Sequence, residues 1–283
     1  MRPAGANSEE KPRNSATWPE LRGTMTKRLL ITSDDFGMCH AVNEGIARAM
    51  TEGVVRSTNF LVPCPWFPEA LELARRHRLP CGIHLCLTCD WDHLKWRPLT
   101  HAPSLCDASG HFLASYAELE QSARDEEMLA ELSAQAEAVL RLGFTPTHAD
   151  SHMFGTFSTG PFAERVRHVH EEVCRRHGLG YTYAVTDSKP RHFKTELVQS
   201  GLSVPELWRE LESLGDGTHH LIGHAAVPSP ELEAMCSPGH HARVWAAAYR
   251  TSDFAWYTSP ATRERLAALG FELIGVQQAL AGS

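Results

Sequence analysis

Residues 29–37 read LLITSDDFG. The apolar run Leu29-Leu30-Ile31, opened by basic residues from Lys27 and continued by Thr32, reads as a buried β-strand. It ends in two adjacent carboxylates, Asp34 and Asp35, and a glycine. Like charges at one spot repel, and burial raises the cost. Asp-Asp-x-Gly is ordinary turn chemistry. A cation held at the strand end would explain the pair equally well.

Outward from this strand, helix and strand signals alternate. Val42, Ile46 and Met50 recur every four residues, and Gly53 supplies a stop. A strand at 54–62 follows, then a helix at 68–77 and a strand at 81–88. The clearest helix is 125–144, with Leu129, Leu132, Ala136 and Val139 as its stripe and acids in its first turn. Strands at 145–152, 181–186, 218–226 and 271–276 alternate with helices at 160–180, 204–214 and 259–270. This alternation predicts a mostly parallel α/β fold, a TIM-like (β/α) barrel of about seven strands. No GxGxxG follows the first strand, so a dinucleotide fold loses its main support. Residues 26–283 read as one domain. Residues 1–25 are polar and unpatterned, which predicts a disordered extension. Met25 is an alternative start.

Of the 283 residues, 22% are charged and 42% hydrophobic, with a net charge of -7. This balance argues against a phosphate-reading nucleic-acid binder. No apolar stretch approaches the roughly 20 residues that span a bilayer. The eight cysteines, with no secretory signal, predict reduced thiols and a cytoplasmic location. Cys81, Cys86 and Cys89, with His93 nearby, suggest half of a zinc site. Their strand-like setting favours buried small apolar side chains instead.

Four strand ends carry metal-competent residues: Asp34-Asp35, His84, the group His148, Asp150 and His152, and His224. In parallel α/β folds the carboxyl ends of strands share one face, and that face holds the active site. Seventeen histidines place some near strand ends by chance, but this coincidence with an Asp pair favours a catalytic metal site. One carboxylate would ligate a divalent ion while its neighbour takes a proton from water, and a His would donate to the leaving group. The reaction class is metal-assisted hydrolysis of an amide or ester. The excursion 89–117 is long for a compact domain. Trp91 or Trp96 there would stack under a sugar ring or pack locally.

The stretches TSDDFGMCHAVNEGIARAMTEGVVRSTNFLV, CGIHLCLT and PTHADSH, with the helix containing Glu131 and Gln135, resemble the YdjC/ChbG-type carbohydrate deacetylases, a family that includes HpnK-like proteins. The resemblance covers about residues 27–276. It implies a barrel related to the NodB deacetylases and removal of an N-acetyl group from a sugar with one divalent ion, Mg2+ or Zn2+. By position, Asp35, His84 and His152 look like the ligands, Asp34 like the base and His224 like the acid. Trp91, Trp96, His148 and Asp150 are the candidate substrate-binding residues. A small carbohydrate is the expected partner, with no nucleic acid and no membrane, and a homodimer is compatible with the sequence. This chain departs from the family where DSHMFGTF has fewer histidines and where GHAAVP has Ala225 in the usual Pro place. A hydrolase of a non-sugar substrate on the same barrel and a metal-free binding protein are the competing readings. Four intact site residues argue against the second.

Overall fold

The structure, a computed structural model, describes residues 27–155, 158–183, 185–186, 189–190, 192–199, 202–239 and 245–281. The extension expected at residues 1–25 lies outside them. The strands are β1 (Lys27–Phe36), β2 (Ser57–Phe60), β3 (Cys81–Leu85), β4 (Ala149–Ser151), β5 (Val185–Thr186), β6 (Lys189–Pro190), β7 (Thr195–Val198), β8 (Gly217–Gly223) and β9 (Phe271–Leu273). Seven of them form one parallel sheet in the order β4-β3-β2-β1-β8-β7, with β9 added to β1. The sheet is an open half-barrel, as the alternation of elements predicted. Strand β1 is its centre. One edge of β1 pairs with β8 along Lys27–Ser33. The other edge is shared by β9, at Lys27–Leu29, and β2, at Thr32–Phe36.

The strand expected at 181–186 is corrected. Among the described residues there, only Tyr181 bridges to Ala149, while Val185–Thr186 pairs antiparallel with β6. The sixth strand position along the sheet is taken by β7, whose sequence TELV carried no clear alternation. All six expected helices are present, from His40–Thr51 to Pro260–Ala268. Their ends follow local chemistry. Helix Val204–Ser213 opens with a capping box, in which Ser203 Oγ accepts from the Glu206 amide and Glu206 reaches back to the Ser203 amide. Helix Pro161–His177 starts with Pro161 and stops at Gly178 in a left-handed conformation. No helix of the described residues is long and apolar enough to cross a membrane.

Helix Asp125–Arg141 positions the excursion. Its buried face contains two polar residues, Glu131 and Gln135. Gln135 accepts from the Cys86 amide at 3.0 Å and donates to the Cys86 carbonyl at 2.8 Å. Glu131 accepts from the backbone amides of Leu99 and Thr100 and from the Thr100 hydroxyl. The helix thus anchors the chain leaving β3, which carries Asp90 and Trp91. Cys81, Cys86 and Cys89 are fully buried and free. They belong to neither metal-competent cluster among the described residues, so the thiols serve the core.

Candidate active site

Strand β1 carries one more residue than its partner near its end: Ser33 faces Thr58, but Phe36 faces Phe60. This bulge contains Asp34 and Asp35, and Asp35 has φ of 76°. Successive residues of a regular strand point to opposite faces. A left-handed residue in a bulge re-aims its side chain, so both carboxylates enter one cavity. Asp tolerates that conformation better than most residues.

Asn59, on β2, holds the pair in place. Its carbonyl oxygen accepts from the Asp35 amide at 3.3 Å, and its Nδ2 donates to Asp34 Oδ1 at 2.6 Å and also to Asp150. His84 and Asp150 face each other in register across β3 and β4. Accordingly His84 Nδ1 meets Asp150 Oδ1 at 2.7 Å. That contact leaves Nε2 of His84 directed at Asp35 Oδ1, 3.5 Å away. His152 approaches the same oxygen through Nδ1 at 3.3 Å, and its Nε2 lies 3.1 Å from Asp90 Oδ1. Each imidazole is therefore backed by a carboxylate, the arrangement that fixes the tautomer of metal-ligating histidines.

Asp35 Oδ1 is fully buried and has no hydrogen-bond partner, whereas Oδ2 accepts from Arg250 at 2.5 Å. Donors bound to one ion at about 2.1 Å stand about 3.0–3.4 Å apart in octahedral or tetrahedral geometry. The two separations of 3.3 and 3.5 Å fit that spacing. Asp35, His84 and His152 together form a group able to hold a metal ion, their donor atoms all within 4.8 Å. A second group, Asp34, His84 and Asp150, meets the same criterion. There the Asn59 amide already links the two carboxylates and Asp150 already engages His84 Nδ1, so the first group is the better candidate.

The two adjacent aspartates differ electrostatically. Burial pushes Asp34 up to about 7; His84 opposes the rise, and Asp150 and Asp35 add to it. Burial also acts upward on Asp35, but the Arg250 charge and contacts with His152 hold it well below the usual carboxylate range. Burial would lower His152, yet Asp35 and Asp90 raise it to about 10. His224 is pushed down to about 3 by burial, with Asp35 opposing and Arg250 adding to the fall.

The family model described as YdjC-like protein matches residues 28–268. The chain belongs to this family. It is 30% identical over 261 residues to a carbohydrate deacetylase of Geobacillus stearothermophilus, covering 88% of this chain and 97% of that one. It is 31% identical over 264 residues to a chitooligosaccharide deacetylase of Yersinia enterocolitica, covering 88% and 98%. A crystal structure from Enterococcus faecalis, of a candidate cellobiose-phosphate cleavage protein, superposes with a TM-score of 0.75 at 25% identity, covering 90% of this chain and 99% of that one.

In this YdjC-like chain, Asp34, Asp35, His84, His152, His224 and Trp91 all line one cavity of about 310 Å³. Trp96, His148 and Asp150 do not line it. Trp96 is 2% exposed, donates from Nε1 to the Thr88 carbonyl and packs its ring edge-on against His152. His148 fills the space over Gly82, where a Cβ would collide with its ring. Asp150 lies behind His84. Trp91 is also only 2% exposed, but it lines the cavity, whereas Trp96 packs locally. The Arg250 guanidinium lies over the Trp91 ring, 5.5 Å from its centroid. Asn59, Asp90, Arg250 and Asp253 were missed by the sequence reading. Asn59 had a signal, a polar side chain within the expected strand 54–62, immediately before the apolar run Phe60-Leu61-Val62. Asp90 had none, since an irregular segment has no period, and Arg250 had none because the buried face of its helix, Arg250–Thr258, begins with the charged residues Arg250 and Asp253 rather than apolar ones.

Proposed function

We propose that this chain is a divalent-metal-dependent carbohydrate deacetylase, which hydrolyses the N-acetyl amide of a sugar or short oligosaccharide. The observation that carries this reading is Asp35 Oδ1, a buried oxygen without a partner, faced by one nitrogen from each of two carboxylate-backed imidazoles. The relatives named carbohydrate and chitooligosaccharide deacetylase supply the sugar and the acyl transfer. Asp35, His84 and His152 would hold the ion. When bound, such an ion polarises the acyl carbonyl and brings water towards a pKa of about 7.

The protein's own groups do the rest. Asp34, beside the ligands but not neutralised by Arg250, is the general base that takes the proton of the attacking water. A carboxyl group raised to about 7 is well matched to that task near neutral pH. His224 is neutral at rest. Negative charge developing on the attacked carbonyl raises its proton affinity, so it takes up the proton that Asp34 has drawn from the water and passes it to the leaving nitrogen as the C–N bond breaks. Asp150 and Asp90 orient the two imidazoles rather than touch the substrate. The cavity walls Trp91, Phe154, Tyr183 and Ile222 offer apolar faces to the ring and exclude water.

Metal analysis of the purified protein, paired with acetate release over N-acetylated mono- and oligosaccharides, tests this reading. About one ion per chain and chelator-sensitive acetate release are expected. Full activity in chelator would overturn the metal. Acetate from non-sugar amides alone would move the substrate class to the second hydrolase reading.

A further inference from the structure

The helix Arg250–Thr258 follows a π-helical turn at Trp245–Tyr249, a local geometry frequent at functional sites. Its first turn touches the ends of both central strands. Arg250 is 2% exposed and donates from Nη2 to Asp35 Oδ2 at 2.5 Å. The Arg250 carbonyl accepts from the Ala226 amide at 3.1 Å. One turn on, Asp253 is 3% exposed, and its Oδ2 accepts from the His224 amide at 2.8 Å. Between these contacts lies Gly223, where any Cβ would collide with the Tyr257 hydroxyl. The strand ends are also joined directly, since Ser33 Oγ accepts from the Ala225 amide at 2.9 Å.

Resting on the deacetylase reading, we propose that this turn is a positioning clamp: Arg250 restricts Asp35 to one-oxygen ligation, and Asp253 fixes His224 against the same strand end. With Oδ2 committed to Arg250, only Oδ1 remains for an ion. Among the described residues, no such cation engages Asp34, one residue away; its neighbours are Asn59 and His84. The guanidinium therefore decides which of two adjacent carboxylates ligates and which stays free to carry a proton. A buried arginine kept only for stability is a poor bargain thermodynamically, because apolar replacements are often as stable. Its stacking on Trp91 and its bond to a ligand point to orientation instead. Arg250 and Asp253 act through other residues and are positioning residues, not catalytic ones.

The test compares Arg250→Ala, Arg250→Lys and Asp253→Ala with the wild-type chain. Metal affinity is read by chelator competition, coordination by the absorption spectrum of the Co2+-loaded protein, and turnover as separate kcat and KM. Arg250→Ala is expected to bind metal about 10–100-fold more weakly, with an altered Co2+ spectrum and KM nearly unchanged at saturating metal. Arg250→Lys keeps the charge without the planar fork and should recover part of the affinity. Asp253→Ala should keep metal affinity and lose kcat. Wild-type affinity and spectrum in Arg250→Ala, with KM raised, would overturn the clamp and make Arg250 a substrate contact. If the alanine variant does not fold, Arg250→Lys decides: an unchanged spectrum and affinity sink the proposal. A wild-type chain that binds no ion removes the deacetylase reading itself, which is a different result from tight binding that the Arg250 variants leave intact.

Discussion

His84 Nδ1 and Asp150 Oδ1 lie 2.7 Å apart because the two residues face each other in register on adjacent parallel strands. The contact fixes the proton on Nδ1 and leaves Nε2 free to ligate. Asp150→Asn keeps the shape but loses the charge and makes the tautomer ambiguous. It should weaken metal binding about 10–100-fold, measured by chelator competition. Asp90→Asn, backing His152 from the partly exposed excursion, should weaken it less, because water can replace a carboxylate there and cannot behind His84.

Asp34 and Asp35 should separate by phenotype. Asp35→Asn removes the charged oxygen facing both imidazoles and should lose metal first. Asp34→Asn should keep metal and lose about 10²–10⁴-fold in turnover, the usual cost of removing a general base. Metal content and kcat measured on the same preparations distinguish the two. If Asp34→Asn hydrolyses at nearly the wild-type rate, the base is another group.

Much of this was readable in the sequence, and the reasons are physical. Asp34, Asp35, His84, His152 and His224 sit at or just beyond the ends of parallel strands, and parallel strands deliver their ends to one face whatever lies between. Asn59 and Asp150 were visible as polar residues in buried strands, but their partners depend on inter-strand register, which one chain's periodicity does not give. Asp90 comes from a segment without a repeat, and Arg250 opens a helix whose buried face starts with charged residues rather than apolar ones. Strand β7 was missed because an edge strand with Glu196 in its middle has no alternation to detect. Whether Trp91 and Trp96 stack under a ring or pack locally was not legible, because the excursion folds back on itself: the Phe112 amide donates to the Trp96 carbonyl and the Cys89 amide to the Leu113 carbonyl.

His170 should make stability pH-dependent away from the proposed metal ligands. Its ring is stacked between Phe154 and Tyr181, Nδ1 donates to the Val166 carbonyl at 2.7 Å, and Nε2 has no partner. Burial lowers its pKa from 6.5 to about 4. Above about 6.5 both folded and unfolded chains carry it neutral. As pH falls from 6.5 towards about 4, the unfolded chain takes up a proton that the folded chain refuses, so stability falls, by on the order of 3 kcal/mol in total. His170→Phe should flatten denaturant-derived stability over that window relative to wild type. An unchanged slope would show that His170 is not the group responsible.

Gly82→Ala should damage the site without touching a ligand. The new methyl meets the His148 ring, itself within 3.8 Å of Asp150. Overpacking of this kind costs about 1–3 kcal/mol, and displacement of Asp150 should also lower metal affinity. Both are read by thermal melts with and without added metal. A variant melting at the wild-type temperature would show that the ring has room to move.

The bulge in β1 sets what improvement by selection can reach. A left-handed Asp35 costs roughly 1–2 kcal/mol that glycine would not pay, and deleting one residue between Ser33 and Phe36 would restore an even ladder with β2. Either change would ease the backbone, but glycine at 35 also leaves the Arg250 guanidinium buried without its carboxylate, which costs about 3–5 kcal/mol. Either would also withdraw a carboxylate from the cavity. Libraries screened for heat tolerance alone should therefore drift towards losing both partners together, glycine at position 35 with an apolar residue at 250, and lose hydrolysis as they do, so that the most robust descendants of this chain would be its least capable ones.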